Sequence, residues 1–568
     1  MPTYAEVKAQ LTGPGGPFEV VTEEVRGRPM QVYKDRMKAL RQICEVGAAR
    51  GDQTFIVYGE REVSFREFVS LANSVSSGLQ KFGAGHGDRV AVLSQNNPDW
   101  CLSFWGTVNI GAILVGLNGW WTTDEIIYGL QDSGARVLVS DAKRFERVAG
   151  QLDECADLEH VFLIDADPGD FGNDPRLHRF DELTTAPSET VPDAPIDEDD
   201  YAVIFYTSGT TGRPKGAIST HRSMIANLQN TLFNGVAGSM TGSAAIPQGP
   251  TQVVALFTSP LFHVSGCHST LVVGLLAGLK LIMIEGRFEP QKALQLIEDH
   301  GVTIWATVPT MVWRVCEDPS RHDFDTSTVV SVAFGGSPSA DELQRKVRET
   351  FPNVRTTTNA YGLTESSSVA TAIGGQDAID KPTSVGPAVP TLELKIRDEH
   401  GNEVPTGETG EVTMYGPLIM AGYWNKPEAT AETVRDGWLY TGDIGYVDAD
   451  GYLYVTDRKK DMIIRGGENI YCVEIENRLV EHASIADAAV IGVPHPELGE
   501  EVKAVVQVEP GEAITEDEVR AWVRETLANF KVPAYVEITK DKLPRNASGK
   551  LLKNVLRGEG EVSFAETM

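Results

Sequence analysis

Short, nearly continuous hydrophobic runs alternate with helix-start signals along most of this chain, and that alternation limits the fold more than any other feature. Arg89-Val-Ala-Val-Leu93, Arg136-Val-Leu-Val139, Val161-Phe-Leu-Ile164, Ala202-Val-Ile-Phe205, Leu281-Ile-Met-Ile284 and Val329-Val-Ser-Val-Ala333 are short and rich in β-branched residues. A strand buried on both faces reads this way, as in a parallel sheet covered by helices. Between them, Ser64-Phe-Arg-Glu67 and Thr122-Thr-Asp-Glu125 have the capping-box spacing that opens a helix, each followed by apolar residues at helical intervals. The pattern predicts layered α/β architecture.

The texture changes near Leu392. Leu392-Glu-Leu-Lys-Ile396 and Glu411-Val-Thr-Met-Tyr415 alternate and sit between glycine-rich turns, which predicts a small β subdomain. A charged stretch, Asp457-Arg-Lys-Lys-Asp461, then precedes a compact α+β pattern. In that pattern Val473, Ile475 and Leu479 predict one helix, and Thr515-Glu-Asp-Glu518 caps another. Ala488–Ile491 and Val502–Val508 predict strands. A chain of 568 residues is too long for one core. The expected division is a large N-terminal domain over 1–456, a hinge at 457–461 and a smaller mobile α+β domain over 462–568.

Composition excludes several functions. The formal net charge of −30 leaves no basic footprint for nucleic acid and disfavours anionic lipid. The six cysteines are scattered without metal spacing, which disfavours disulfides and zinc and favours a reducing compartment. The first residues lack the pattern of a secretory signal, and Leu271–Leu279 is too short to cross a bilayer. A cytoplasmic enzyme with no transmembrane segment is expected. The sequence leaves the oligomeric state open, a homodimer included.

The strongest chemical signal is Tyr206-Thr-Ser-Gly-Thr-Thr-Gly-Arg-Pro-Lys215-Gly216. A buried strand ends at Tyr206, and a loop of Ser, Thr and Gly follows. Gly209, Gly212 and Gly216 free the backbone to turn its N–H groups toward one anion. Thr207, Ser208, Thr210 and Thr211 offer hydroxyl donors, and Lys215 offers a cation. The spacing is not that of a Walker A loop, because Lys215 is followed by glycine. Alone, the segment predicts an anion site, with a nucleotide as its occupant.

This segment resembles the signature of the adenylate-forming superfamily. Asn359-Ala-Tyr-Gly-Leu-Thr-Glu365, Tyr440-Thr-Gly-Asp443, Asp457-Arg-Lys-Lys460 and Pro544-Arg-Asn-Ala-Ser-Gly-Lys550 resemble further motifs of that family, in family order. Together they span roughly residues 50 to 555. The resemblance implies a two-step reaction. A carboxylate attacks the α-phosphorus of ATP to give an acyl adenylate and pyrophosphate, and a thiol, usually coenzyme A, then displaces AMP.

The resemblance also implies roles. Tyr361, followed by Gly362, is similar to the aromatic that stacks on adenine, and Gly335-Gly336-Ser337 to the segment along the other side of the base. Thr364 is like the hydroxyl that reaches the phosphates, and Glu365 like the Mg2+ ligand, as a hard cation on phosphate requires. Asp443 resembles the acid that accepts the ribose hydroxyls. Arg458 resembles the arginine near ribose or phosphate. Lys550 resembles the lysine that bridges carboxylate and α-phosphate, so Lys550, Thr207 and Glu365 are the expected catalytic set. Lys460 matches the position about which the small domain turns, and Gly466 and Gly467 would line the coenzyme A channel.

Pro260-Leu-Phe-His-Val-Ser-Gly266 resembles the acyl-pocket motif, with His263 at the gating position and Gly266 and Cys267 beside it. The motif offers no aspartate for a substrate ammonium, which argues for an acid without an α-amino group. Asn118-Gly-Trp-Trp121 departs from the usual pattern, and core packing is its expected use. The reading is an acyl-CoA synthetase using ATP, Mg2+ and coenzyme A. A fatty acid is the first expectation for the acid and an aryl or other hydrophobic carboxylate the next. A carrier-protein-loading enzyme is the nearest rival. A nucleotide-binding regulator with an inactive adenylation fold is the rival outside enzymes.

Overall fold

The computed structural model describes residues 2–559 apart from 186–187, 189, 208–212, 243–251, 336–340, 355–356, 467 and 546–549. All six hydrophobic runs lie in or overlap strands of two parallel-cored sheets. The first sheet runs Lys215–Thr220, Tyr201–Thr207, Ile113–Gly116, Arg89–Leu93, Val137–Asp141, His160–Ile164, Leu177–Arg179. It is parallel except at the edge, where Lys215–Thr220 folds back antiparallel on Tyr201–Thr207. The second runs Ser368–Ile373, Thr357–Leu363, Ser331–Gly335, Ile304–Thr307, Val254–Phe257, Lys280–Met283, Thr54–Tyr58, Arg61–Ser64. Its six inner strands are parallel and its two edge strands antiparallel.

Helices Phe65–Lys81 and Pro98–Val108 pack between these sheets, burying Phe68, Val75, Trp100 and Trp105 in one core with Val90, Phe205 and Leu281. At the predicted cap Ser64, the hydroxyl accepts from the Glu67 N–H. The capping box at Thr122 is complete. The apolar run from Leu271 lies inside the same core, through Leu275.

The β subdomain predicted from Leu392 is an antiparallel sheet. It contains Glu393–Arg397, Gly410–Tyr415, Trp438–Val447 and Tyr452–Arg458. Its last strand enters the expected hinge, since Asp457 and Arg458 still pair with Ile444 and Asp443. The smaller C-terminal domain is built on Ile485–His495 and Gly499–Val508, with Ile463–Arg465, Glu468–Ile470 and Tyr535–Thr539 added at the sides. Helices Cys472–Val480 and Glu516–Arg524 cover it and bury Ile475, Leu479, Val519 and Val523. No helix among the described residues is long and apolar enough to cross a membrane.

Candidate active site

The parallel strands of the second sheet deliver the loop after Thr357–Leu363 to the junction of the two domains, where open α/β sheets bind ligands. There a cavity of about 680 Å³ opens between the domains. The large domain contributes Tyr361, Gly362, Asp443 and Arg458, and the C-terminal domain contributes Lys550. Lys460 lies at its rim, exposed.

Three of these side chains form one polar wall. The Tyr361 hydroxyl donates to Asp443 Oδ2 at 2.6 Å. Arg458 Nε lies 3.5 Å from Asp443 Oδ1. The last pair is fixed by the sheet, because Asp443 and Arg458 are cross-strand partners. Asp443 is buried. Burial, reinforced by the neighbouring Asp443 charge, holds the Tyr361 phenol well above its usual range, so it remains a donor.

Lys550 points into this wall from the other domain. Burial pushes its ammonium down to about 8, and Arg458 adds to that; Asp443 and Glu365 pull the other way. The pattern places both carboxylates and the guanidinium within electrostatic reach of one ammonium. His263 belongs to the same field: burial, then Lys550, hold it down to about 3, so its ring is neutral. Its Nδ1 accepts from the Ser265 N–H at 3.3 Å, which places the ring proton on Nε2. Among the described residues, His263, Gly266 and Cys267 do not line the cavity that holds Lys550. Gly266 has a packing reason to be glycine, since a Cβ there would strike the Pro260 carbonyl. Cys267 is fully buried, and burial holds its thiol well above the usual range.

Glu365 sits one residue into a short 3-10 turn that begins at Thr364. Its Oε1 accepts from the Tyr423 hydroxyl at 2.7 Å, and its other carboxylate oxygen makes no hydrogen bond among the described residues. The described residues contain no cluster of three or more metal-ligating side chains. A lone carboxylate fits Mg2+ in the mode where substrate phosphates and waters complete the shell, and does not fit an all-protein cage.

The nucleotide-loop motif is placed by its stems. Strand Tyr201–Thr207 extends one residue past the expected end. Lys215 is a strand residue paired with Thr207, where the sequence suggested a loop residue. Tyr206 Oη donates to Asp132 Oδ2 at 3.0 Å, and Asp132 pairs with Lys426 at 2.6 Å. Lys215 lies 5.2 Å from the Tyr423 ring, so the loop stem and Glu365 share one aromatic neighbour. Ser208, Gly209, Thr210, Thr211 and Gly212 lie outside the described residues, as do Gly336, Ser337 and Gly467. Gly335 is the last residue of strand Ser331–Gly335. Gly466 is exposed in a turn with φ +60° and does not line the cavity.

Sequence reasoning missed Asp132, Tyr423 and Lys426, which no local motif marks. It also missed His268, a buried imidazole stacked on Phe205. His268 Nδ1 donates to the Ser367 carbonyl at 3.1 Å, and its Nε2 has no partner among the described residues. Of the two tryptophans, Trp121 is core as expected, and Trp120 is half-buried, edge-on to Phe262 at 5.4 Å.

Comparison with known proteins finds relatives over most of the chain. The family model of AMP-binding enzymes matches residues 44–424, and the model of their C-terminal domain matches residues 474–550. A feruloyl-CoA synthase from Amycolatopsis sp is 36% identical over 89% of this chain and 95% of its own. A long-chain-fatty-acid–CoA ligase of Bacillus subtilis is 32% identical over 92% and 94%. Among solved structures, the anthranilate CoA ligase AuaEII in complex with anthranoyl-AMP superposes with a TM-score of 0.83 at 26% identity, covering 92% of this chain and 97% of that one. The chain belongs to the AMP-binding enzymes, the adenylate-forming superfamily, in its acyl-CoA synthetase branch.

Proposed function

We propose that this AMP-forming acid–CoA ligase activates an aryl or aryl-alkenoic carboxylic acid, with domains at 1–456 and 462–568 turning about 457–461. The observation that carries the adenylation site is the convergence of Lys550 with Glu365 and Asp443 across the domain junction. The aryl choice rests on relatives named for such acids: feruloyl-CoA synthase at 36% identity and a tobacco 4-coumarate–CoA ligase at 34%. The long-chain-fatty-acid relative at 32% supports a fatty acid as the second reading.

In this reading Tyr361 and Asp443 hold the adenosine, and Asp443 accepts from the ribose hydroxyls. Thr207, Lys215 and Thr364 face the phosphates. Glu365 would hold Mg2+, which neutralises phosphate charge when bound. The acid's carboxylate oxygen attacks the α-phosphorus, and the bond to the bridging oxygen of pyrophosphate breaks. Lys550 stabilises the charge that develops between carboxylate and α-phosphate. The thiol of coenzyme A then attacks the acyl carbon, and AMP leaves.

A panel of acids tests the substrate. Pyrophosphate and AMP release are measured with benzoate, cinnamate, hydroxycinnamates and straight-chain fatty acids, with and without coenzyme A. The expected result is highest kcat/KM for an aryl acid and AMP release that requires the thiol. A fatty acid ahead of every aryl acid overturns the aryl choice. No acid-dependent pyrophosphate release overturns the whole reading.

The pH profile tests Lys550 separately. Its ammonium form is needed and is pushed down to about 8, so the active form is present below that pH and lost above it. The expected result is that kcat/KM for ATP in adenylation falls as pH rises through about 8. Lys550→Arg, whose guanidinium stays charged, should lack that limb in its residual activity. A wild-type profile flat across this range sinks the assignment.

A further inference from the structure

Three residues beyond Lys550, a second lysine is buried in a charge cluster that the reaction does not use. Lys553 Nζ lies 2.7 Å from Glu476 Oε1, and the two side chains are only 11% and 14% exposed. Glu476 is on helix Cys472–Val480, and the same oxygen accepts from the Val490 N–H at 2.7 Å. Both partners therefore move with the C-terminal domain.

Asp457 meets them from the first position of the expected hinge. It is buried at the end of strand Tyr452–Arg458. Its Oδ1 accepts from the Arg458 N–H at 2.7 Å, and its Oδ2 accepts from the Cys472 N–H, the first residue of the helix that carries Glu476. The groups that act on the Asp457 carboxyl are the Lys553 ammonium, Glu476, and these two backbone N–H donors. Burial pushes that carboxyl up to about 6, Glu476 adds to the rise, and Lys553 opposes it. Burial pushes the Lys553 ammonium down, and Glu476, helped by Asp457, more than reverses this. The ammonium thus contacts Glu476 and lies within electrostatic reach of Asp457, and all three side chains line the cavity between the domains.

We infer that Lys553 is a positioning residue for the first half-reaction: paired with Glu476 and acting through space on Asp457, which is itself tied to the Glu476 helix at Cys472, it holds the domain orientation in which Lys550 faces Glu365 and Asp443. The inference rests on the reading of Lys550 above. Its physical basis is the cost of an orphaned buried charge. Without the ammonium, two like charges face each other in a poorly solvated space, and swinging the domains apart relieves them. The segment itself stays attached to the small domain, because Leu551 and Leu556 pack with Ala489, Val505 and Leu543.

The experiment measures the two half-reactions separately in the full-length enzyme. Adenylation is read as acid-dependent pyrophosphate release. Thiolysis is read as consumption by coenzyme A of the synthetic adenylate of the panel acid that turns over fastest. Lys553→Met is expected to slow adenylation about 10- to 100-fold while thiolysis persists, which also reports an intact fold. Lys553→Arg should restore adenylation. Adding Glu476→Gln to Lys553→Met should recover some of it, because one buried carboxylate then remains instead of two. Unchanged adenylation, equal loss of both steps, or no recovery in either rescue variant overturns the inference. Lys550→Ala is run alongside. If it is selective for adenylation and Lys553→Met is not, the positioning role alone fails. If Lys550→Ala damages both steps equally, the reading of Lys550 fails and this inference falls with it.

Discussion

Replacing Lys550 by alanine is expected to slow acyl-adenylate formation by on the order of 10²-fold or more and to leave thiolysis of a supplied acyl adenylate largely intact. The size follows from where the ammonium sits. It is partly buried among Asp443, Glu365 and Arg458, so its field is less screened than that of a surface lysine. In the proposed reaction negative charge moves through this space as a carboxylate meets a phosphate, and a fixed cation needs no reorganisation to answer it. The selectivity follows from the chain. Lys550 belongs to the C-terminal domain, whereas Tyr361, Asp443 and Glu365 belong to the large one. A step that proceeds with the small domain turned away has no use for Lys550. Half-reaction assays on one preparation decide the matter, and equal impairment of both steps sinks the domain-alternation reading.

Gly362→Ala is the second large effect, and it is steric. Gly362 lies between Tyr361 and Thr364 at an irregularity in the pairing of Thr357–Leu363 with Ser368–Ile373. A Cβ there would fall on the carbonyl oxygen of Ser368 and stand 2.6 Å from its carbonyl carbon. Those atoms are backbone and cannot rotate aside. The facing chain is already constrained, since Ser367 and Ser368 both have positive φ, 52° and 110°. Alanine must therefore push the paired strands apart, at a cost of about 3 kcal/mol or more. Tyr361 and Glu365 flank the displaced backbone, so nucleotide affinity and adenylation should fall together with the thermal midpoint. A variant with the wild-type midpoint and wild-type KM for ATP would show that the close approach does not exist in solution.

The sequence carried those features of the fold that are local. Hydrophobic runs such as Arg89–Leu93 announced parallel strands because a strand buried on both faces has no polar alternation. Thr122 and Thr515 announced helix starts because a capping box is complete within four residues. Tyr361, Asp443 and Lys550 were legible through motif resemblance, and the structure brings them to one cavity although they are far apart in sequence. The supports of the site were not legible. Lys426 holds Asp132 from 294 positions away, and Tyr423 holds Glu365 from 58. Neither pair shares a periodic pattern, because each depends on how separate sheets meet. The strand end at Asp457–Arg458 reads as hinge in the sequence for a related reason. Its charged residues look like linker, and only the partner strand at Ile444 and Asp443 makes them sheet.

The cavity between the domains also has a thermodynamic consequence. In the proposed reading the nucleotide lies against one wall and Lys550 is carried by the other body, so nucleotide affinity and domain orientation would be linked quantities. Whatever tightens one tightens the other by the same free energy. A molecule or surface that gripped only the outside of the small domain, far from any substrate, would therefore tune the enzyme's appetite for ATP. Bound ATP would in turn tune that grip.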